Sequence, residues 1–136
     1  MAKYMLIMRA TDEAVAAYDE TPFEQVIEAM GRYNESLIKA GVMVGGDGLA
    51  PEPGVVVDFS TTPPVVSDGP YGETKELFNG FWTLEVPTIE EAAEWAKRCP
   101  LGPGSKLEIR RITGPEDFPA DNEWIQKEAE WRAQQG

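Results

Sequence analysis

Histidine is absent from this chain of 136 residues, and cysteine occurs once, as Cys99. Without histidine, one chain cannot build a Ser-His-Asp triad, use an imidazole as a base or bind a metal through imidazole nitrogens. A single cysteine cannot close a disulfide within the chain or form a thiolate metal cage, and it is consistent with a reducing compartment. We therefore expect no metal site, and the sequence indicates no cofactor.

Positive charge is also scarce. The chain has 12 Lys and Arg residues against 24 Asp and Glu residues, which gives a net charge of −12 at pH 7. Adjacent cations occur at Lys97-Arg98 and Arg110-Arg111, which are too few for a basic patch. Because so negative a surface repels phosphate backbones, we expect no direct binding to nucleic acid.

Long hydrophobic runs are missing as well. No apolar run approaches the ~18 residues that a membrane-spanning helix needs. Residues 1–9 are mostly apolar, but they lack a basic n-region and a small-residue cleavage site, so they predict a buried strand and not a signal peptide. We therefore expect a cytoplasmic protein that does not bind membranes.

The hydrophobic pattern predicts alternating strands and helices. Apolar residues at both parities of 3–9 indicate a strand covered on both faces. After a loop, Thr21-Pro22-Phe23-Glu24 predicts a capped helix that runs to about Ala40 and stops at Gly41. Its predicted apolar face consists of Phe23, Val26, Ile27, Met30, Leu37 and Ile38.

The second half of the pattern is similar. Residues 42–44 predict a strand, and Gly45-Gly46-Asp47-Gly48 predicts a bulge or tight turn that lets backbones approach closely. Thr88-Ile89-Glu90-Glu91 predicts the capped start of a helix. The remaining predictions are a hairpin of 55–60 and 65–68, strands at 81–86 and 106–112, and a tail helix at about 121–135. In the strand at 106–112, alternation predicts that Leu107 and Ile109 face inward.

Two strand-helix-strand halves in one small chain predict an α+β fold, the ferredoxin-like split βαβ sandwich with an inserted β-hairpin. Both helices then cover one face of the sheet. Since the first strand is apolar on both sides, we expect a second copy of the chain to cover the other face, giving a homodimer. The expected domain spans 1–113, and 114–136 forms a C-terminal extension whose short helix packs on the domain.

One stretch carries a resemblance to a known family. The run Asp68-Gly69-Pro70-Tyr71-Gly72-Glu73-Thr74-Lys75-Glu76 is followed by Gly80-Phe81-Trp82 and by Arg98-Cys99-Pro100. Together with Lys3-Tyr4-Met5-Leu6 and Glu108-Ile109-Arg110, it resembles the YCII-related, or DGPF-domain, family over nearly the whole chain.

The resemblance implies a dimeric α+β barrel with a ligand-sized cleft near the Asp-Gly-Pro loop. Activities in the family are mostly unassigned, although some relatives resemble enzymes that use a His-Asp pair, and some are associated with alternative sigma factors. This chain departs from the family pattern at Tyr71, where Phe is usual, at Arg111, and in having no histidine. The His-Asp pair therefore cannot be transferred to it.

Asp68 is the candidate catalytic residue, with two interpretations. In the first interpretation, Asp-Gly-Pro forms a turn, because these residue types favour turns. In the second, the carboxylate of Asp68 is partly buried beside Phe81 and Trp82 and could act as an acid or base. Candidate ligand-binding residues around it are Arg9, Glu73, Lys75 and Trp82. Cys99, on the apolar face of its helix, is expected to be a core residue and not a nucleophile.

The leading functional hypothesis is therefore a dimeric protein that binds a small molecule in a cleft near Asp68, with catalysis left open. The alternative is a non-catalytic interaction module, such as a companion of an alternative sigma factor in transcription regulation. The sequence does not identify the ligand.

Overall fold

The computed structural model of the protein describes residues 1–50, 52, 54–68 and 77–135. The strands are β1 (Ala2–Ala10), β2 (Met43–Gly48), β3 (Val55–Asp58), β4 (Val65–Asp68), β5 (Leu77–Val86) and β6 (Ser105–Arg111). The helices are α1 (Asp12–Glu20), α2 (Phe23–Lys39), α3 (Ile89–Lys97) and α4 (Glu123–Gln135), with a 3-10 turn at Pro115–Asp117.

Four strands form one antiparallel sheet in the order β2-β5-β1-β6. In each half of the chain, two strands joined by a helical connection are separated in the sheet by a strand from the other half. This α+β arrangement is compatible with the predicted ferredoxin-like fold. β3 and β4 pair antiparallel as a separate two-stranded sheet.

The core lies between one face of the sheet and helices α2 and α3. Alternate residues of β1 and β5 are buried against helix residues, as expected for strands with a period of two. The buried cluster consists of Tyr4, Leu6, Tyr33, Leu37, Trp82, Leu84, Val86 and Ala92. The predicted inward residues of β6, Leu107 and Ile109, pack against this cluster.

The segment before α2 is a helix, and the prediction of a loop there is wrong. Thr11 caps α1 by accepting a hydrogen bond from Ala14 N at 3.3 Å. The Thr11 hydroxyl also donates to Gly104 O at 3.0 Å, which anchors the start of the helix to the turn before β6. The apolar residues of α1, at 14–18, follow one another without a gap, so they do not show the helical spacing that marks one face.

Helix α2 also differs from prediction at its start. Thr21 does not cap α2, because it ends α1 and its hydroxyl donates to Ala17 O at 2.8 Å. Pro22 precedes the first helical residue and offers no side-chain cap. At the other end, helix α2 stops at Gly41 as predicted. The φ of Gly41 is +72°, a value that residues with a side chain rarely adopt.

The buried face of α2 is rotated from the predicted one. Phe23, Ile27 and Ile38 were expected to face the core but are exposed. Tyr33 and Leu37 are the fully packed residues, with Met30 partly buried beside them. Tyr33 was not part of the predicted apolar face of α2. A buried tyrosine hydroxyl needs a partner, and here it donates to Trp95 O at 2.9 Å.

The glycines of β2 lie within the strand. The register of β2 against β5 shifts between Met43 and Gly45, so the irregularity is at Val44, just before the run where a bulge or tight turn was predicted, and residues 45–48 pair one to one with β5. A Cβ on Gly46 would lie 2.7 Å from Phe81 O, so the close approach of the two backbones requires glycine there.

The predicted cap of α3 is confirmed. The hydroxyl of Thr88 accepts a hydrogen bond from Glu91 N at 3.2 Å and caps α3. Arg111 forms two hydrogen bonds with the carboxylate of Asp117, at 2.7 and 2.8 Å, and so joins the end of β6 to the segment that leads to α4. In the described part of the chain, no helix has the length and apolar character needed to cross a membrane.

Leu37 tests the core of this fold. Leu37 has no exposed surface, whereas the next residue, Ile38, is 63% exposed. We expect Leu37→Ala to lower the free energy of unfolding by about 2–5 kcal/mol, because the truncation leaves a cavity in the core. Ile38→Ala, on the same helix, is expected to change it by less than about 0.5 kcal/mol. Urea denaturation followed by circular dichroism measures both, and equal losses would contradict the observed face of α2.

Cys99 tests the environment beside that core. Burial raises the pKa of the Cys99 thiol from 9.0 to about 12, and the side chain packs against the core cluster. Because the thiolate is the reactive form, the folded protein is expected to react slowly with iodoacetamide up to about pH 9, and the urea-unfolded protein rapidly. Alkylation measured by mass spectrometry at pH 8 checks this, and equal rates in the two states would contradict a buried thiol.

Candidate functional site

A cavity of about 530 Å³ lies on the helix side of the sheet, within a single chain. Its walls come from α1, α2 and strands β1, β2 and β5, and from residues just before and within β6. The volume falls in the range of about 300–1,000 Å³ that is usual for small-molecule sites. Neither the position of this cavity nor the contribution of α1 was predicted from the sequence.

Small residues on the strands make room for the cavity. Gly46, Gly48 and Gly80 line it where β2 and β5 pair, with Gly48 directly opposite Gly80. Gly80 in turn lies opposite Met8, which lines the cavity from β1. A Cβ on Gly48 would meet no atom within 4 Å, so this part of the floor is open space.

Most of the lining is apolar. Three methionines from three different elements contribute flexible side chains, which adapt to varied ligand shapes. They are Met8 of β1, Met30 of α2 and Met43 of β2. Tyr18 of α1 and Leu101, in the loop before β6, line other parts of the wall.

Trp82 is held in the wall of the cavity by two side chains of α2. It is only 7% exposed, and its ring packs edge-on against Tyr33 with centroids 5.5 Å apart. The indole nitrogen donates a hydrogen bond to Asn34 Oδ1 at 2.8 Å. Tyr33 and Asn34, which follow one another on α2, therefore hold Trp82 of β5 in place. Asn34 itself also lines the cavity.

The polar groups of the lining are few and lack positive charge. Asn34 and Asn79 supply amides, Ser105 a hydroxyl, and the exposed Asp19 of α1 a carboxylate. Asp47 also borders the cavity, but it lies opposite Phe81, so its side chain is on the other face of the sheet. Among the described residues that line the cavity, none is Lys or Arg. The electrostatic environment therefore disfavours an anionic ligand. Within residues 1–50, 52, 54–68 and 77–135, no group of three His, Cys, Asp or Glu side chains could hold a metal ion.

Asn79 owes its position to an irregularity in β5. Met8 pairs with Gly80 and Arg9 with Phe78, so Asn79 is an extra residue between two consecutive pairs. Its backbone carbonyl accepts a hydrogen bond from Leu49 N at 2.8 Å. Bulges of this kind redirect a side chain next to functional sites, and here the bulged residue lines the cavity.

The five predicted site residues do not all come together. Trp82 lines the cavity. Arg9 does not, because residues of β1 alternate between faces and Arg9 lies opposite Lys106 of β6. Its guanidinium forms an ion pair with Glu108 at 3.1 Å. The ligand-binding role of Arg9 stays a prediction.

Asp68 ends β4, opposite Val55 in the two-stranded sheet. It is exposed, so the partial burial expected of an acid or base beside Phe81 and Trp82 is not observed. It is also absent from the cavity lining. Glu73 and Lys75, with the rest of the Asp-Gly-Pro run after Asp68, lie outside the described residues. The roles proposed for these three residues stay predictions.

The lining residues that were not predicted have only weak signals in the sequence. Asn34 sits on α2 beside Tyr33, and nothing in its sequence neighbourhood separates it from a solvent-exposed helix residue. The glycines of β2 were predicted to let two backbones approach closely. That Gly46 and Gly48 lie on the same face of the sheet as Gly80 follows only from the pairing of β2 with β5. A signal was available for α1, since Thr11-Asp12-Glu13 combines a cap with an acidic first turn.

Comparison with known proteins agrees with the fold. The model of the YCII-related domain matches residues 2–118. An uncharacterised protein of Rhizobium meliloti (strain 1021) is 23% identical over 95 residues, which cover 69% of this chain and 77% of that protein. The match to the domain model spans most of the chain and confirms the resemblance found in the sequence. The chain belongs to the family of proteins with a YCII-related domain.

Proposed function

We propose that this protein binds a small, mostly apolar molecule in the cavity between the sheet and helices α1 and α2. The observation that carries the proposal is the cavity itself, about 530 Å³ in volume, with apolar walls and a few polar groups. That combination is typical of sites that surround a small ligand and orient it through a few hydrogen bonds. A specific reaction is not part of the proposal.

The proposal also includes pairing of two copies through the opposite face of the sheet. The strand residues that point away from the helices include Met5, which lies opposite Thr83, and Ile7, which lies opposite Phe81. Met5, Ile7 and Phe81 are all partly exposed. A partly exposed apolar patch with charged neighbours, such as the Arg9–Glu108 pair, is a surface that a second copy of the chain can cover.

A specific observation also favours the interaction module as a second candidate. The β3–β4 sheet exposes Val55, Val57 and Val66 on one of its faces, and α4 exposes Trp124 and Trp131. Exposed apolar side chains in such clusters are typical of protein-binding surfaces. The two candidates predict different effects of substitutions. If the protein binds a small molecule, substitutions in the cavity weaken that binding. If it is an interaction module, substitutions of these exposed residues weaken binding of a protein partner.

Filling the cavity tests ligand binding. A suitable probe ligand is prodan, an uncharged naphthalene ketone whose fluorescence depends on the polarity of its surroundings. Gly48→Leu places a side chain in open space at the cavity floor, and we expect it to weaken prodan binding about tenfold or more. Fluorescence titration and the ligand-dependent rise in melting temperature measure the affinity.

Two variants serve as controls for this experiment. Gly31→Leu adds the same side chain to the exposed side of α2, where space is also open, and it should leave prodan affinity unchanged. Asp68→Asn should also leave it unchanged, because Asp68 is not part of the lining. Wild-type protein that does not bind prodan, or equal losses in all three variants, would count against the proposed site.

Pairing is tested by placing a charge on the outer face of the sheet. We expect the wild-type protein to have twice the chain mass of 15.0 kDa by light scattering. Ile7→Glu should yield a particle of 15.0 kDa, because burying an unpaired carboxylate in an apolar interface is unfavourable. Ile38→Glu, at a site that is 63% exposed on α2, should remain paired. A wild-type particle of one chain would refute the pairing.

A further inference from the structure

We infer that the ligand of the cavity is uncharged and carries a hydrogen-bond acceptor, such as a carbonyl oxygen, that is bound by the side-chain amide of Asn34. This inference rests on the proposed function and specifies the class of molecule that the same cavity selects. It follows from the orientation of one amide and from the charges around it.

The orientation of the Asn34 amide is set by Trp82. An indole nitrogen can only donate a hydrogen bond, so the atom 2.8 Å from Trp82 Nε1 must be the amide oxygen, Asn34 Oδ1. The NH₂ group of the amide therefore points away from the indole. Since Trp82 is itself fixed by its edge-on contact with Tyr33, the amide is held in one orientation before any ligand arrives.

The NH₂ group of Asn34 has no acceptor within the part of the chain that the structure describes. The only hydrogen bond found there for the Asn34 side chain is the one its oxygen accepts from Trp82. Asn34 is partly buried and lines the cavity. A fixed donor without a protein acceptor, placed in an apolar wall, is the type of group that orients a ligand by its carbonyl or ether oxygen.

The charges around the cavity exclude one class of acceptor. Carboxylates and phosphates also accept hydrogen bonds, but they need a cation or several donors to compensate for lost solvation. The described lining has no Lys or Arg, and its charged side chain on the helix side is that of Asp19. The acceptor that fits this site is therefore neutral.

The test compares three naphthalenes of similar size as competitors of prodan. 2-Acetylnaphthalene carries a ketone oxygen, 2-ethylnaphthalene has no acceptor, and 2-naphthoate is an anion. The main variant is Asn34→Asp, which keeps an oxygen for the Trp82 indole but removes the NH₂ donor. Asn34→Ala is a second variant that adds no charge, and thermal unfolding shows that each variant is folded.

We expect both Asn34 variants to weaken binding of 2-acetylnaphthalene about threefold to tenfold, the loss of one hydrogen bond, with little change for 2-ethylnaphthalene. Comparing the two compounds in the two proteins isolates the contribution of the acceptor–amide pair. We expect 2-naphthoate to bind wild-type protein about tenfold more weakly than the ketone, or not at all.

Four outcomes would overturn the inference. Equal effects of the Asn34 variants on the ketone and the hydrocarbon would show that the amide does not bind the acceptor. Loss of ketone selectivity in Asn79→Asp but not in Asn34→Asp would assign the donor to the bulge of β5. Equal binding of 2-naphthoate and the ketone would refute a neutral ligand. If none of the naphthalenes binds the wild-type protein, the proposed function itself fails, which separates that result from the other three.

Discussion

The packing of Trp82 against α2 is the contact on which both the core and the cavity depend. A buried indole must have an acceptor for its N–H group, and Asn34 supplies one at 2.8 Å. Tyr33 meets the edge of the same ring, and the Tyr33 hydroxyl reaches Trp95 O of α3 at 2.9 Å. Through this chain of contacts, β5 fixes the position of α2 and α2 is joined to α3. The part of the cavity wall formed by Trp82 is therefore held by the same contacts that hold the core.

The cavity exists because the chain leaves space unfilled on the same sheet face that elsewhere carries large side chains. Toward one end of β5, Trp82, Leu84 and Val86 fill the space under the helices. Toward the other end, Gly80 and its partner Gly48 do not. Unfilled apolar volume lowers stability, so a ligand that occupies it stabilises the folded state by restoring contacts as well as by mass action.

Membership in the YCII-related family constrains the fold of this chain more than its chemistry. The chain has no histidine, and the polar side chains that border its cavity include amides, hydroxyls and the carboxylate of Asp19. Fixed amides are suited to recognising a neutral polar group, since they donate and accept hydrogen bonds without a charge that needs solvation. The strongly negative charge of the chain agrees with that preference, because it lowers the local concentration of anions.

The sequence by itself determined the family, the α+β class and most of the elements, because alternation, helical periodicity and caps such as Thr88 depend on neighbouring residues. It also identified Leu107 and Ile109 as inward-facing and Gly41 as a helix stop. Only the tertiary structure decided which face of α2 is buried, that residues 12–20 form a helix, and that Gly48, Gly80 and Asn34 border one space. Those facts depend on pairings between residues far apart in the chain, such as Trp82 with Asn34, and local sequence patterns do not encode such distances.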